Sequence, residues 1–160
     1  MRVTAMQEYG LRCMVQLAAH KKPEPLAVRE IARREKLTSV YVEKILVNLR
    51  RAGLVKSLRG VNGGYIMAKP IRDVSVAAVL SALGQVDLGS NLCSRFTGDS
   101  AACVHTGDCG IRPIWGLLTR YIYGFLEQVS LEQLLHGESR VVEAIDRIGQ
   151  KPPRPIGMGV

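Results

Sequence analysis

The sequence predicts a mainly α fold carrying one small β-hairpin, and three observations predict it. Residues 28–52 read as a short helix, a tight turn and a second helix. Two short β-prone runs joined by a glycine-rich turn follow directly, over residues 54–68. From Pro113 onward an apolar stripe repeats every three or four residues through a long segment. Together these give a winged helix-turn-helix domain followed by a long dimerisation helix.

In order, Thr4 opens the first helix and Gln7 three residues later completes a capping box. Met6, Leu11, Met14, Val15, Leu17 and Ala18 then keep helical spacing to His20, and Lys21, Lys22, Pro23 and Pro25 end the helix. A short helix is expected over Val28–Glu35, with Ile31 and Ala32 inward and Arg29, Arg33 and Arg34 outward. After a turn at Lys36-Leu37, Thr38 caps a third helix over Ser39–Ala52. Its apolar stripe is Val42, Ile45, Leu46 and Leu49, and Gly53 supplies a left-handed stop.

In a helix-turn-helix the second helix enters the DNA major groove and offers its first-turn side chains to base edges. Ser39, Tyr41, Glu43 and Lys44 are so presented, with Arg50 and Arg51 nearer the phosphates. Strands over Leu54–Leu58 and Tyr65–Ala68 form the wing, with Arg59 at its tip placed to enter the minor groove. The plain alternative is a three-helix bundle with solvated basic faces. The charge distribution favours the nucleic-acid reading. Residues 1–70 hold 14 Lys/Arg against 5 Asp/Glu, residues 71–160 hold 8 against 9, and the first half therefore carries the whole net excess of +8.

Ser75 caps a fourth helix over Val76–Leu83. The long helix follows from Pro113 with Ile114, Leu117, Leu118, Tyr121, Ile122, Phe125, Leu126 and Val129 as its stripe. That stripe is too wide for one small domain to cover, so a homodimer interface is expected, in keeping with symmetric reading of two half-sites. Ser130–His136 and Ser139–Ile148 read as further short helices. The expected organisation is a DNA-binding region over 1–83, a cysteine loop over 84–112, the dimerisation helix with its short successor over 113–136, and a partly disordered tail over 137–160. No apolar run reaches the roughly 18 residues of a membrane span. The N-terminal stretch carries Glu8 and Arg12 within its apolar pattern, unlike a signal peptide, so a cytoplasmic protein with thiols reduced unless metal-bound is expected.

Three of the four cysteines, Cys93, Cys103 and Cys109, fall in the polar loop CSRFTGDSAACVHTGDC. A folded core needs no such clustering, and three thiolates in one loop point to a metal centre. Cys13 lies on the apolar side of the first helix and reads as a core thiol.

The chain resembles the Rrf-two family of bacterial winged-helix regulators, whose members include iron–sulfur-assembly, nitric-oxide-response, iron-response and cysteine-metabolism repressors. The matching segments are Glu8-Tyr9-Gly10-Leu11-Arg12, Glu30-Ile31-Ala32, Tyr41-Val42-Glu43-Lys44-Ile45-Leu46, Leu49-Arg50-Arg51-Ala52-Gly53-Leu54-Val55, Arg59-Gly60 with Gly63-Gly64-Tyr65, and Arg112-Pro113 with Trp115. The resemblance implies a homodimer on a palindromic double-stranded operator, base reading around Glu43, and Arg59 in the minor groove. It also implies a [2Fe–2S] or [4Fe–4S] cluster on Cys93, Cys103 and Cys109. Glu8 is the first-named fourth ligand, at the position where some relatives supply a carboxylate from the partner subunit, and His105 and Asp108 are alternatives. The spacing C-x9-C-x5-C carries an insertion of about four residues in its first gap, and Arg112 stands where the cluster-assembly regulator has a ligating His.

A regulator of transcription controlled by such a cluster is the reading that follows. A zinc or thiol-redox regulator, with Cys93, Cys103, Cys109 and His105 as a Cys3His set, is the rival. A cluster carrier or electron-transfer scaffold would lack the salt-sensitive DNA binding that the basic first half favours. No nucleophile–base pair or phosphate loop suggests an enzyme.

Overall fold

The protein is described by a computed structural model over residues 3–60, 62–84 and 92–149. The expected disorder of 151–160 lies outside the described residues, as does Val61 of the wing turn. The elements are α1 (Ala5–Ala19), α2 (Val28–Glu35), α3 (Ser39–Arg51), β1 (Val55–Leu58), β2 (Gly64–Met67), a 3-10 turn (Ile71–Asp73), α4 (Val76–Ala82), α5 (Leu92–Arg95), α6 (Arg112–Leu126), α7 (Leu131–Leu134) and α8 (Glu138–Gly149). The fold is mainly α with one antiparallel hairpin, as its sequence pattern indicates.

Local chemistry sets the boundaries. Thr4 accepts from the Gln7 N–H while the Gln7 side chain accepts from the Thr4 N–H, so both orphan donors at the start of α1 are satisfied. Thr38 caps α3 through the Tyr41 N–H and Ser75 caps α4 through the Ala78 N–H. Between α2 and α3 the chain turns at Lys36, a non-glycine residue in the left-handed region at φ 56°. Gly53 stops α3 at φ 70°.

One core joins α1, α2, α3, the hairpin and α4. Cys13, Met14, Ile31, Val42, Ile45, Leu46 and Leu49 are among its fully buried side chains. The hairpin pairs Val55 with Met67 through Leu58 with Gly64. Leu26, ahead of α2, adds a bridge to its outer edge by exchanging backbone hydrogen bonds of 3.0 Å with Tyr65. That approach requires glycine at 64, because a Cβ there would stand 2.5 Å from the Leu26 carbonyl oxygen.

Two features depart from the sequence reading. The long helix ends at Leu126, so Val129 is not part of its stripe; it lies buried beside Val76 and Leu80 of α4. The segment after α6 also returns to the first half, where Val76 N–H donates to Val129 C=O at 2.8 Å and Leu131 N–H to Val74 C=O at 2.9 Å. Leu131 is fully buried in the main core. The winged-helix core therefore draws on residues beyond 83. No helix among the described residues is long and apolar enough to cross a membrane.

Gly64→Ala is expected to lower stability by about 1–3 kcal/mol, because backbone at Leu26 cannot yield as a side chain can. Urea unfolding followed by circular dichroism measures it, and an unchanged midpoint would remove the close-approach argument. A second expectation concerns Cys13, whose burial pushes its thiol up to about 12 from an ordinary 9.0. Above pH 9 the unfolded chain releases a proton that the folded chain keeps, so the stability held below that pH is lost progressively toward pH 12. Wild type should lose stability across this range more steeply than Cys13→Ala, by at most about 1.4 kcal/mol per pH unit. Equal slopes would contradict it.

Candidate metal centre and nucleic-acid interface

The expected base-reading residues fall on α3 and the wing. Ser39, Glu43 and Lys44 are exposed in the first half of α3, and Arg50 and Arg51 are exposed in its last turn. Tyr41 is half-buried instead: its ring stands edge-on to Tyr9 of α1, with centroids 6.0 Å apart and planes at 85°. Sequence spacing did not single out Val40, which is 79% exposed. Arg59 is exposed at the end of β1, and Arg50 donates to the Ser57 hydroxyl at 3.4 Å, joining the reading helix to the wing.

The charges divide into two groups. Arg33 and Arg34 are held by Glu30 across about one turn of α2, at 2.8 and 2.6 Å. Those hydrogen bonds, from Arg33 first and then Arg34, hold the Glu30 carboxyl at about 2. Lys44, Arg50, Arg51 and Arg59 make no ion pair among the described residues. α3 and the wing therefore carry unpaired positive charge of the kind that phosphate contacts need.

The loop cysteines come together around one cavity. Cys93 on α5, Cys103 and Cys109 line a space of about 270 Å³ with Phe96, His105, Ile111, Arg112 and Trp115. All three thiols are free and partly exposed, whereas Cys13 is wholly buried. Among the described residues no three His, Cys, Asp or Glu side chains converge on a single-ion position. Cysteine thiolates are the donors that hold iron–sulfur clusters, and three of them line this cavity.

Arg112, at the first position of α6, is the cation of this cavity. Its guanidinium pKa is raised, first by a side-chain hydrogen bond with Cys93 and then by charge interaction with Cys93, with smaller contributions from Cys109 and Cys103. It also donates to the Thr106 carbonyl at 3.0 Å. Phe96 and its stacked neighbour Arg95, 5.5 Å from the ring centroid, were not singled out by sequence. A lone Phe in a polar loop gives little sign of a cavity wall. Of the proposed fourth ligands, His105 lines the cavity, while Glu8 is exposed on α1 and is not among its lining residues. Asp108 is exposed and also outside the lining.

The cavity opens at the start of α6, whose first turns carry an uncovered apolar row. Ile114 is 60%, Leu117 48%, Leu118 40% and Tyr121 52% exposed, at helical spacing. The far end of α6, at Phe125 and Leu126, packs on α4.

Comparison with known proteins bears on both halves. The chain is 29% identical over 144 residues to the HTH-type transcriptional regulator IscR of Serratia proteamaculans, covering 90% of this chain and 85% of that one. It is 30% identical over 139 residues to protein rrf2 of Nitratidesulfovibrio vulgaris, covering 87% and 90%. Among solved structures, IscR of T. potens superposes with a TM-score of 0.65 at 29% identity, covering 84% of this chain and 86% of that one. CymR, the global cysteine regulator of B. subtilis, superposes with a TM-score of 0.66 over 84% and 96% at 24% identity, a likeness of fold alone. The family model of the Rrf2 iron-dependent transcriptional regulators matches residues 3–137, and the chain belongs to that family of winged-helix transcriptional regulators.

Proposed function

We propose that this chain is a cytoplasmic homodimeric regulator that binds a palindromic operator and whose affinity is set by an iron–sulfur cluster on Cys93, Cys103 and Cys109. The observation that carries this reading is the gathering of all three loop thiols, with Arg112 among them, around one cavity at the base of α6. When bound, such a cluster supplies a centre responsive to iron supply, redox state or nitric oxide. Glu8 of the partner subunit is the first candidate for the fourth ligand. Its exposure on α1, outside its own chain's cavity, fits a carboxylate offered across a dimer.

The remaining roles belong to the chain's own side chains. Ser39, Glu43 and Lys44 meet base edges while Tyr41 is held beside them against Tyr9, Arg50 and Arg51 meet phosphates, and Arg59 enters the minor groove. The exposed row on α6 packs against its copy, setting the separation of the two α3 helices. Operator spacing is fixed by DNA, so a change in the chain between α4 and α6 alters affinity through that separation. A second reading, zinc or thiol-redox control, draws on His105, which lines the same cavity as the three cysteines and supplies the fourth residue type of a Cys3His set.

Protein purified without oxygen is expected to be coloured and to contain iron and acid-labile sulfide in matching amounts, with all three lost in Cys103→Ala. Operator affinity of that variant should differ from that of the loaded protein on the order of 5–150-fold. A colourless, iron-free protein after reconstitution would move the assignment to zinc or thiol control. Equal operator affinity of the loaded protein and the variant would end the coupling. Leu118→Glu is expected to sediment as a folded monomer, because it places a charge in the apolar α6 row; a persisting dimer would place the interface elsewhere.

A further inference from the structure

The reading helix presents one residue that polar recognition does not account for. The buried row Val42, Ile45, Leu46 and Leu49 fixes the rotation of α3 about its axis. Opposite that row, Val40, Glu43 and Lys44 share one exposed face, being three and four residues apart. Val40 sits in the first turn, two residues after the Thr38 cap, and is 79% exposed. Its neighbour Tyr41 is turned aside against Tyr9, which leaves Val40 as the foremost side chain of the turn.

Neither packing nor propensity accounts for valine here. Its own chain leaves it uncovered, and a β-branched residue is a poorer helix former than alanine. What a β-branched side chain does offer is a pair of methyl groups held in a nearly fixed direction. The major-groove edge of DNA carries one apolar group, the C5-methyl of thymine. We propose that Val40 is a specificity-determining residue that reads a thymine methyl in each half-site of the operator. This inference rests on the DNA-binding reading of α3 given above.

The position of that thymine follows from the helix face. Side chains three or four residues apart lie about 5–6 Å from one another, and successive bases along a strand are about 3.4 Å apart. The thymine therefore falls within two base pairs of the base read by Glu43 or Lys44. Glutamate accepts from cytosine N4 and lysine donates to guanine O6 and N7, so a thymine next to a C·G pair is the expected half-site feature.

The test is a uracil scan of an operator selected from random DNA. Selection and binding are run with both the anaerobically loaded protein and the cluster-free protein, and the form that binds is carried forward. Each thymine is replaced in turn by deoxyuridine, which deletes the methyl group and leaves the hydrogen-bonding edge unchanged. One position per half-site is expected to lose about fourfold in affinity, the worth of one buried methyl. In Val40→Ser, which keeps a residue suited to a helix start, that loss should disappear while the other positions keep their wild-type pattern. A tight, salt-sensitive complex that is indifferent to uracil everywhere would overturn the contact alone. A uracil effect that persists in Val40→Ser would assign the methyl to another side chain and also overturn it. Absence of any sequence-selective complex in either form would overturn the DNA reading beneath it.

Discussion

A buried carboxylate fastens the reading unit to the rest of the chain. Glu35 closes α2 with its side chain only 9% exposed, and accepts from Arg12 Nε at 2.6 Å and from Gln16 Nε2 at 2.5 Å. Arg12 also reaches the Glu35 backbone carbonyl at 3.3 Å, one of the acceptors that a helix end leaves unpaired. The guanidinium pKa is raised, first by the hydrogen bond to Glu35. A carboxylate in this setting needs its partners, since removing one leaves charge stranded away from water. Arg12 further lies 5.4 Å from the Tyr9 ring, and Tyr9 meets Tyr41 of α3. One stripe of α1 thus orients both helices of the helix-turn-helix.

The opposite edge of α1 holds the end of α4. Gln7 is buried and donates through Nε2 to the Gly84 carbonyl at 2.6 Å, where the chain leaves α4 toward Cys93. Gly10, three residues on, lets Leu83 press against the helix where any side chain would collide. The reading helix and the exit toward the loop are therefore fixed to two sides of the same fifteen-residue rod. Close-packed interfaces of this kind pass small displacements on instead of absorbing them.

Much of this was legible because it is local. The capping pair Thr4–Gln7, the cap at Thr38, the helix start at Ser130 and the stop at Gly53 each follow from residues a few positions apart. The hairpin was legible from its glycine-rich turn, although the need for glycine at 64 comes from the distant Leu26 backbone. What escaped depends on distant partners. Val129 continues the α6 periodicity in sequence, yet its backbone carbonyl is taken by Val76 and its side chain by α4. Leu131 enters the core only because the chain doubles back to Val74. Tyr41 and Val40 are adjacent in a helical first turn, and spacing alone does not say which of them faces the groove; Tyr9, thirty-two residues earlier, decides it. The cysteine loop divided in the same way. Its residue types announced a metal centre, while the walls contributed by Phe96 and Trp115 emerged only in three dimensions.

Arg112 gives the site its particular chemistry. In the resemblance drawn from sequence it occupies the place of a ligating histidine, but a guanidinium has no lone pair to donate and stays protonated. It cannot complete the coordination of a cluster held by three cysteines. It can hold positive charge against thiolates, which is what its hydrogen bond with Cys93 and its proximity to Cys109 and Cys103 provide. Cluster potential and reactivity follow net charge and hydrogen bonds to sulfur as well as ligand identity. Replacing a ligand by a cation therefore has two effects in one substitution: it opens a coordination position, and it offsets negative charge at the remaining three. In the proposed cluster that position would be left as a labile iron or filled from outside the Cys109–Arg112 segment, by Glu8 across the dimer or by His105 or Asp108 within the loop. A carboxylate from a second subunit would make the centre depend on assembly, tying metal occupancy to the same α6 contact that sets the distance between reading helices.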